Sequence, residues 1–179
     1  MINSKVIGLL FCLATLLSAI HVEENHFAAL QSGLVRLKSD NGKYLARCQN
    51  CGPGTYSNSA FVHEANGNYG WAQWTLEVVG DKVALKSDNG KYLARCSNCW
   101  ENAAYADSAF VHVYSLSGNP WALWTPVDAG NGKWAFKGDN GKYLARCNNC
   151  VYGGAYADSA FVHEANMGSS WAQWTIERL

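Results

Sequence analysis

The chain has 179 residues, 49% hydrophobic and 13% aromatic, with 14 basic and 14 acidic side chains that cancel in formal charge. That length admits one ordinary domain with a real core. No basic run or stripe stands out, which argues against a nucleic-acid or anionic-membrane surface.

The first element is apolar. Residues 1–5 carry one basic side chain, residues 6–20 are apolar apart from Thr15 and Ser18, and the polar run HVEEN follows. A charged head before a short apolar core is the pattern of a secretory signal peptide. A membrane anchor would need roughly 20 apolar residues, against the 15 present. Residues 1–20 therefore read as a signal peptide, 21–33 as a polar tether and 34–179 as the folded domain. The setting this implies is secreted and extracellular, with no membrane association after cleavage.

From Leu34 one pattern is written three times. In the first copy, residues 34–38 alternate apolar and polar, which predicts a half-buried strand. Asp40-Asn41-Gly42 predicts a hairpin turn, since Asn and Gly both tolerate positive φ. Residues 43–48 are the return strand and 49–58 a loop rich in Gly, Pro, Asn and Ser. Residues 59–65 (SAFVHEA) are the third strand, 66–70 a turn, and 71–79 (WAQWTLEVV) the fourth, with Trp74, Leu76 and Val78 on one face. The hairpin sentence recurs from Leu85 and Phe136, SAFVH from Ser108 and Ser159, and the Trp pair at Trp121 and Trp171. The second Trp of each pair falls at 74, 124 and 174, a period of 50 residues, dividing the domain into 34–82, 83–132 and 133–179.

Four strands in each of three copies make twelve, and nothing after residue 33 has useful helical periodicity. A period of this size marks a repeated supersecondary unit, and a threefold unit without capping repeats closes on itself. An all-β domain hides its edges outright by closing into a barrel. Three four-stranded units around a pseudo-threefold axis describe an all-β β-trefoil.

The phrase V-x-L-K-S-D-N-G-K-Y-L resembles the repeat of fascin-like β-trefoil domains, and the resemblance spans residues 34–179. It implies the fold, and with it actin bundling, which the export signal and the single trefoil argue against. The Cys-x-x-Cys, SAFVH and WAQW words lie outside the fascin pattern. The ricin-type Gln-x-Trp word is also absent, because Gln73 directly precedes Trp74. No binding residue is carried over from either family.

Of seven Cys, Cys12 lies in the signal segment. The other six form three pairs, Cys48/Cys51, Cys96/Cys99 and Cys147/Cys150. An even set in an exported chain reads as disulfides, most simply one within each motif, although six Cys allow fifteen connectivities. Zinc held by these cysteines with His63, His112 or His163 is the competing chemistry. Three symmetric pairs cannot combine two by two, so no metal and no cofactor is expected.

Asp40, Asp88 and Asp139 recur in the turn and read as turn-formers whose carboxylates bond nearby amides. Glu64 and Glu164 occupy equivalent places in different copies, too far apart for a two-carboxylate glycosidase site. No Gly-x-Ser-x-Gly, Ser-His-Asp or phosphate-loop signature occurs, so no enzyme activity is expected.

Ligand binding remains, and copy two is informative. Copies one and three read His63-Glu64-Ala65-Asn66 and His163-Glu164-Ala165-Asn166, with Gln73 and Gln173 beside Trp71 and Trp171. Copy two reads His112-Val113-Tyr114-Ser115 with Leu123. Carboxylate, amides and indole suit sugar hydroxyls and the apolar face of a sugar ring. Drift on a solvated loop, or a Glu64–Gln73 bond made for structure, would explain the same pattern. A second candidate set is Tyr105/Asp107 and Tyr156/Asp158, with Tyr56/Asn58 as the weaker copy; it selects copies two and three instead. The leading reading is a secreted, monomeric, non-catalytic binder of extracellular glycans. The other is a binder of a surface protein, for which the linker from Cys99 to Ser108, with Trp100 and Glu101 unique to copy two, hints at an asymmetric loop. No ordinary Asn-x-Ser/Thr sequon occurs, so all faces are expected to be free of N-glycans.

Overall fold

The computed structural model describes residues 30–179, of which 32–179 form one compact unit. The expected signal peptide and most of the tether lie outside the described residues. The first repeat contributes β1 (Gly33–Lys38), β2 (Tyr44–Gln49), β3 (Asn58–Glu64) and β4 (Trp74–Val79). The second contributes β5 (Lys82–Lys86), β6 (Tyr92–Ser97), β7 (Asp107–Val113) and β8 (Thr125–Gly130). The third contributes β9 (Lys133–Lys137), β10 (Tyr143–Asn148), β11 (Asp158–Glu164) and β12 (Trp174–Arg178).

Six of the strands close a barrel. β1 pairs with β4, β4 with β5, β8 with β9, β9 with β12, and β12 returns to β1. The step from β5 to β8 is made by Val83 and Trp124, whose amides donate to each other's carbonyls at 2.8 Å. The remaining strands form the hairpins β2–β3, β6–β7 and β10–β11. These meet in a cycle through Ser59 opposite Phe110, Ser108 opposite Phe161 and Ser159 opposite Phe61. A six-stranded barrel capped by three hairpins is a β-trefoil.

The repeated words now have physical reasons. Trp74, Trp124 and Trp174 are fully buried, and each indole N–H donates to a backbone carbonyl of the preceding hairpin, Leu45, Leu93 or Leu144. A Trp is tolerated so deep because its polar handle finds a partner there. Ser59, Ser108 and Ser159 are buried as well, and their hydroxyls donate to the carbonyls of Cys48, Cys96 and Cys147. Each Cys-x-x-Cys closes on itself: Cys48 bonds Cys51, Cys96 bonds Cys99 and Cys147 bonds Cys150, each with Cα atoms 5.7 Å apart. The residue before the second Cys (Asn50, Asn98 or Asn149) sits at φ of 56–57°. Asn is the residue other than Gly that enters this left-handed region most readily.

Three local expectations are corrected. The fourth strand begins at Trp74; Trp71 sits on a 3-10 turn, Gly70–Ala72, repeated at Pro120–Ala122 and Ser170–Ala172. In the hairpin turn only the glycine takes positive φ, at Gly42, Gly90 and Gly141. Asn41 instead uses its side-chain oxygen to accept the Lys43 amide, so the turn is a type I bend followed by a left-handed glycine. The turn aspartates do not serve mainly as local caps. Each is forked by an arginine of the preceding repeat: Arg47 to Asp88, Arg95 to Asp139, and Arg146 to Asp40. The third fork joins the last repeat to the first, so the series is cyclic. The remaining guanidinium nitrogen of each holds Asn58, Asp107 or Asp158.

At the centre of the hairpin cap lies a cluster of Phe61, Phe110 and Phe161 with five of the six cysteines, Trp100 and Val151. The residues that follow the three second cysteines are Gly52, Trp100 and Val151. Three symmetry-related positions around one axis cannot all be large. Trp100 fills the space at 7% exposure, and a Cβ built on Gly52 would come within 2.7 Å of its ring. The expected asymmetric loop after Cys99 is thereby corrected. Cys99 is itself buried in this cluster, and its carbonyl accepts the Thr55 amide of the neighbouring repeat, which ties the start of the linker down. Trp100 is a plug rather than part of a protrusion; only Glu101 of that pair is exposed.

Gly52→Ala is expected to destabilise the domain by about 1–3 kcal/mol through overpacking. Adding Trp100→Ala should make the pair of changes less costly than the sum of the two single ones. Urea unfolding of the three variants checks this, and strict additivity would mean that the two positions do not share a space.

Candidate functional site

Three related clefts lie on the outside of the hairpin cap, each beside one of the Trp-bearing 3-10 turns. The first is about 480 Å³ and is lined by Arg47, the Cys48–Cys51 bridge, Gln49, His63, Glu64, Trp71 and Tyr156. The second, about 490 Å³, has Arg146, the Cys147–Cys150 bridge, Asn148, His163, Glu164, Ala165, Trp171 and Tyr105. The third, about 350 Å³, belongs to copy two. Its walls do not include the Cys96–Cys99 bridge, so the three disulfides are alike in pairing and unlike in surroundings: Cys99 serves the core of the cap and no cleft.

Each cleft is shared between repeats. Tyr156 stacks on His63 at 4.1 Å, Tyr105 on His163 at 4.3 Å, and Tyr56 on His112 at 4.5 Å. The two candidate sets of the sequence analysis, which select different copies, are therefore opposite walls of the same clefts. The Tyr156 loop of copy three serves copy one, and the Tyr105 loop of copy two serves copy three. The aspartates of that set do not line the clefts; Asp107 and Asp158 are held by Arg95 and Arg146.

The other wall is a tryptophan fixed by a carboxylate. Trp71 is 38% exposed and Trp171 41%, and their indoles donate to Glu64 and Glu164. The second oxygen of each glutamate accepts the backbone amide of Asn66 or Asn166. Tyr69 stacks face to face on Trp71 at 4.6 Å and covers one side of the indole in copy one. Gln73 and Gln173 face away from the clefts and donate to turn carbonyls, at Gly67 and Asn68 and at Met167. Asn66 and Asn166 brace the same turns by accepting the amides of Asn68 and Gly168. Of the glutamate–asparagine–glutamine set, only the glutamates line the clefts, and Glu64 bonds Trp71 rather than Gln73. Arg47 and Arg146 also line the clefts and are not among the candidates of the sequence analysis, although their identity in every copy is a signal for them.

The charges follow from these contacts. Burial alone would raise the Glu64 carboxyl, but the Trp71 indole and the amides of Asn66 and Ala65 outweigh it and hold it below the usual range. Glu164 is lowered in the same balance of burial against the Asn166 amide and the Trp171 indole. Burial pushes His63, His112 and His163 below the ordinary imidazole value, and no hydrogen bond of normal geometry reaches their Nδ1 atoms. The bond from Arg146 holds Asp40 at about 2 against the burial that opposes it. Each cleft thus presents, at neutral pH, a neutral imidazole beneath a tyrosine; copies one and three add a single lining carboxylate and an exposed indole. Among the described residues, no group of three His, Cys, Asp or Glu could hold a metal ion.

The fold is shared with solved structures. The Polyporus squamosus lectin, bound to a human-type influenza-binding epitope, superposes with a TM-score of 0.62 at 16% identity, over 84% of this chain and 50% of that one. This chain thus spans about half of that lectin. The designed threefold-symmetric protein ThreeFoil gives 0.58 at 24% identity, over 82% of this chain and 99% of that one. The SDF2-like protein of Arabidopsis thaliana gives 0.64 at 10% identity, over 82% and 93%. No family model matches the sequence, and no curated protein matches it. The likeness establishes the β-trefoil fold.

The pH dependence of stability should fall in two stages. The folded histidines sit below their unfolded value near 6.5, so protonation favours the unfolded chain; their contribution is complete above about pH 6.5 and shrinks below it. Asp40, at about 2 against 3.8 unfolded, contributes fully above about pH 4, and that contribution is lost as pH falls towards 2. Thermal melts from pH 8 to 2 check this. A Tm unchanged between pH 7 and 5 would contradict the buried neutral histidines.

Proposed function

We propose that this chain is a secreted, non-catalytic carbohydrate-binding protein, with sites formed where one repeat's loop meets the next repeat's Trp turn. The observation that carries this is an exposed indole, fixed by a carboxylate in a cleft shared with a tyrosine–histidine stack, found in copies one and three. An indole face held in place attracts the C–H face of a sugar, and the remaining carboxylate lone pairs accept hydroxyls. The glutamate–indole bond removes rotamer freedom before a ligand arrives, which lowers the cost of binding.

No cleft has more than one lining carboxylate, which supports binding over hydrolysis, since glycosidases place two about a catalytic water or bond. Three disulfides support an oxidising, extracellular setting. Several weak sites on a rigid monomer would gain from a repeating target through avidity. The fascin-like hairpin phrase supports the fold and supplies no cleft residue.

The test is a glycan array with the oxidised protein, beside the double variants Trp71→Ala/Trp171→Ala and Tyr105→Ala/Tyr156→Ala. Both variants should lose at least about tenfold in affinity, equivalent to ~1.4 kcal/mol, while remaining folded. Loss in only one would separate the two walls into different sites. Absence of binding to any glycan would overturn the reading and favour a surface protein as the partner.

A further inference from the structure

Copy two has been rebuilt rather than eroded. Its frame is kept: Tyr56 stacks on His112, and Trp121 occupies the same 3-10 turn as Trp71 and Trp171. Where the others have glutamate it has Val113, 5% exposed and packed with Ala84, Tyr92, Ala94 and Ala122; Leu116, Trp121 and Leu123 cover the group. Val113 and Leu123 replace a carboxylate and an amide together, and the apolar cluster they complete is well formed. Random change on a wet loop does not produce such a cluster.

The exchange inverts the hydrogen-bonding character of the cleft. In copies one and three the indole N–H is spent on glutamate, and the cleft offers acceptors. Among the described residues, Trp121 Nε1 has no partner, and the copy-two cleft contains no carboxylate. Asn119 lines the same cleft. Its Nδ2 is committed to the carbonyls of Ser115 and Ser117, leaving Oδ1 as an acceptor. Tyr114, 77% exposed, adds an apolar ring at the rim, with Lys91 lying 4.4 Å above it. The cleft thus offers the Trp121 N–H as a donor and Asn119 Oδ1 as an acceptor, beside the hydroxyls of Tyr56, Tyr114 and Ser115, with apolar walls from Val113, Trp121 and Tyr114.

We propose that the copy-two cleft binds the acetamido group of an N-acetylated sugar, while the clefts of copies one and three take hydroxyl-bearing sugar faces. The acetamide carbonyl accepts from Trp121, its N–H donates to Asn119, and its methyl rests on the apolar wall. This rests on the carbohydrate-binding reading and adds a second specificity to it. Lys91 is the one feature that would favour a carboxylate instead. Its ammonium lies over the Tyr114 ring, where it is already engaged as a cation–π partner.

The test is an NMR titration of the indole N–H signals with methyl β-N-acetylglucosaminide, methyl β-glucoside and methyl β-glucuronide, Trp121 being assigned through Trp121→Phe. The N-acetyl glycoside should shift the Trp121 signal at concentrations at least about tenfold below those needed for the glucoside. Val113→Glu, which restores the carboxylate partner, should remove that preference and leave the Trp71 and Trp171 responses unchanged. Should Val113→Glu not fold, Trp121→Phe keeps the ring, deletes the donor and should weaken the N-acetyl response of His112 about tenfold. Stronger binding of the glucuronide at Trp121, or equal response to acetylated and plain sugars, would overturn the inference. Shifts at Trp71 and Trp171 without any at Trp121 would overturn this inference alone. No shift at any of the three would overturn the carbohydrate reading with it.

Discussion

Each arginine of β2, β6 and β10 reaches out of its own repeat to fork the turn aspartate of the next, and Arg146 returns the series to Asp40. These forks are partly exposed, so solvent screening keeps each of modest energetic worth. Their importance is geometric. A bidentate guanidinium–carboxylate pair fixes direction as well as distance, so three of them in a ring set the angle between every hairpin and its neighbour. The same guanidinium holds the residue that opens the next strand, Asn58, Asp107 or Asp158, and so anchors the tyrosine loop just before it. The clefts exist because that loop is held over the histidine of an adjacent repeat.

It follows that no repeat owns a complete cleft. The indole and carboxylate come from one copy and the tyrosine from another, and barrel strands far apart in sequence must meet before either is placed: β1 pairs with β12 across almost the whole domain. Such non-local topology folds slowly compared with helical bundles. The small disulfide rings do little to shorten that search, since each closes only a few residues. Their place at the exit of each β2-type strand, with Asn in left-handed conformation, points to a local role: they aim the following loop towards the axis.

Much of this was legible because it is local or repeated. Trp74, Phe61 and the Asp-Asn-Gly turn state their roles in a single copy, and the recurrence of all three at one period implies closure. The misassigned features are those in which two neighbours in space are strangers in sequence. Trp71 reads as part of a strand because no Gly, Pro or Asn interrupts WAQWTLEVV, yet the chain must turn at Gly70–Ala72 to bring the next Trp inside. Asp40 looks like a turn-former, which it is, but its main partner lies in the last repeat. The linker after Cys99 looks like a protrusion because the space that Trp100 fills is left open by a glycine of another copy. The tyrosine loops and the glutamate–tryptophan pairs read as rival sites because the linear sequence assigns each residue to its own copy. A one-step rotation around the axis reconciles them.

Gly52, Trp100 and Val151 place a different constraint on how such a molecule can be made. Three separate, identical chains assembled around an axis would carry the same residue at all three positions: three tryptophans would collide and three glycines would leave a void. One large, one medium and one absent side chain is a solution closed to identical chains and open to copies joined in a single gene, where each can mutate alone. Once fusion has released the copies from identity at the axis, nothing requires identity at the rim. The same covalent linkage that lets one tryptophan plug the cap is what allows a single cleft to change its chemistry while its two sisters keep theirs.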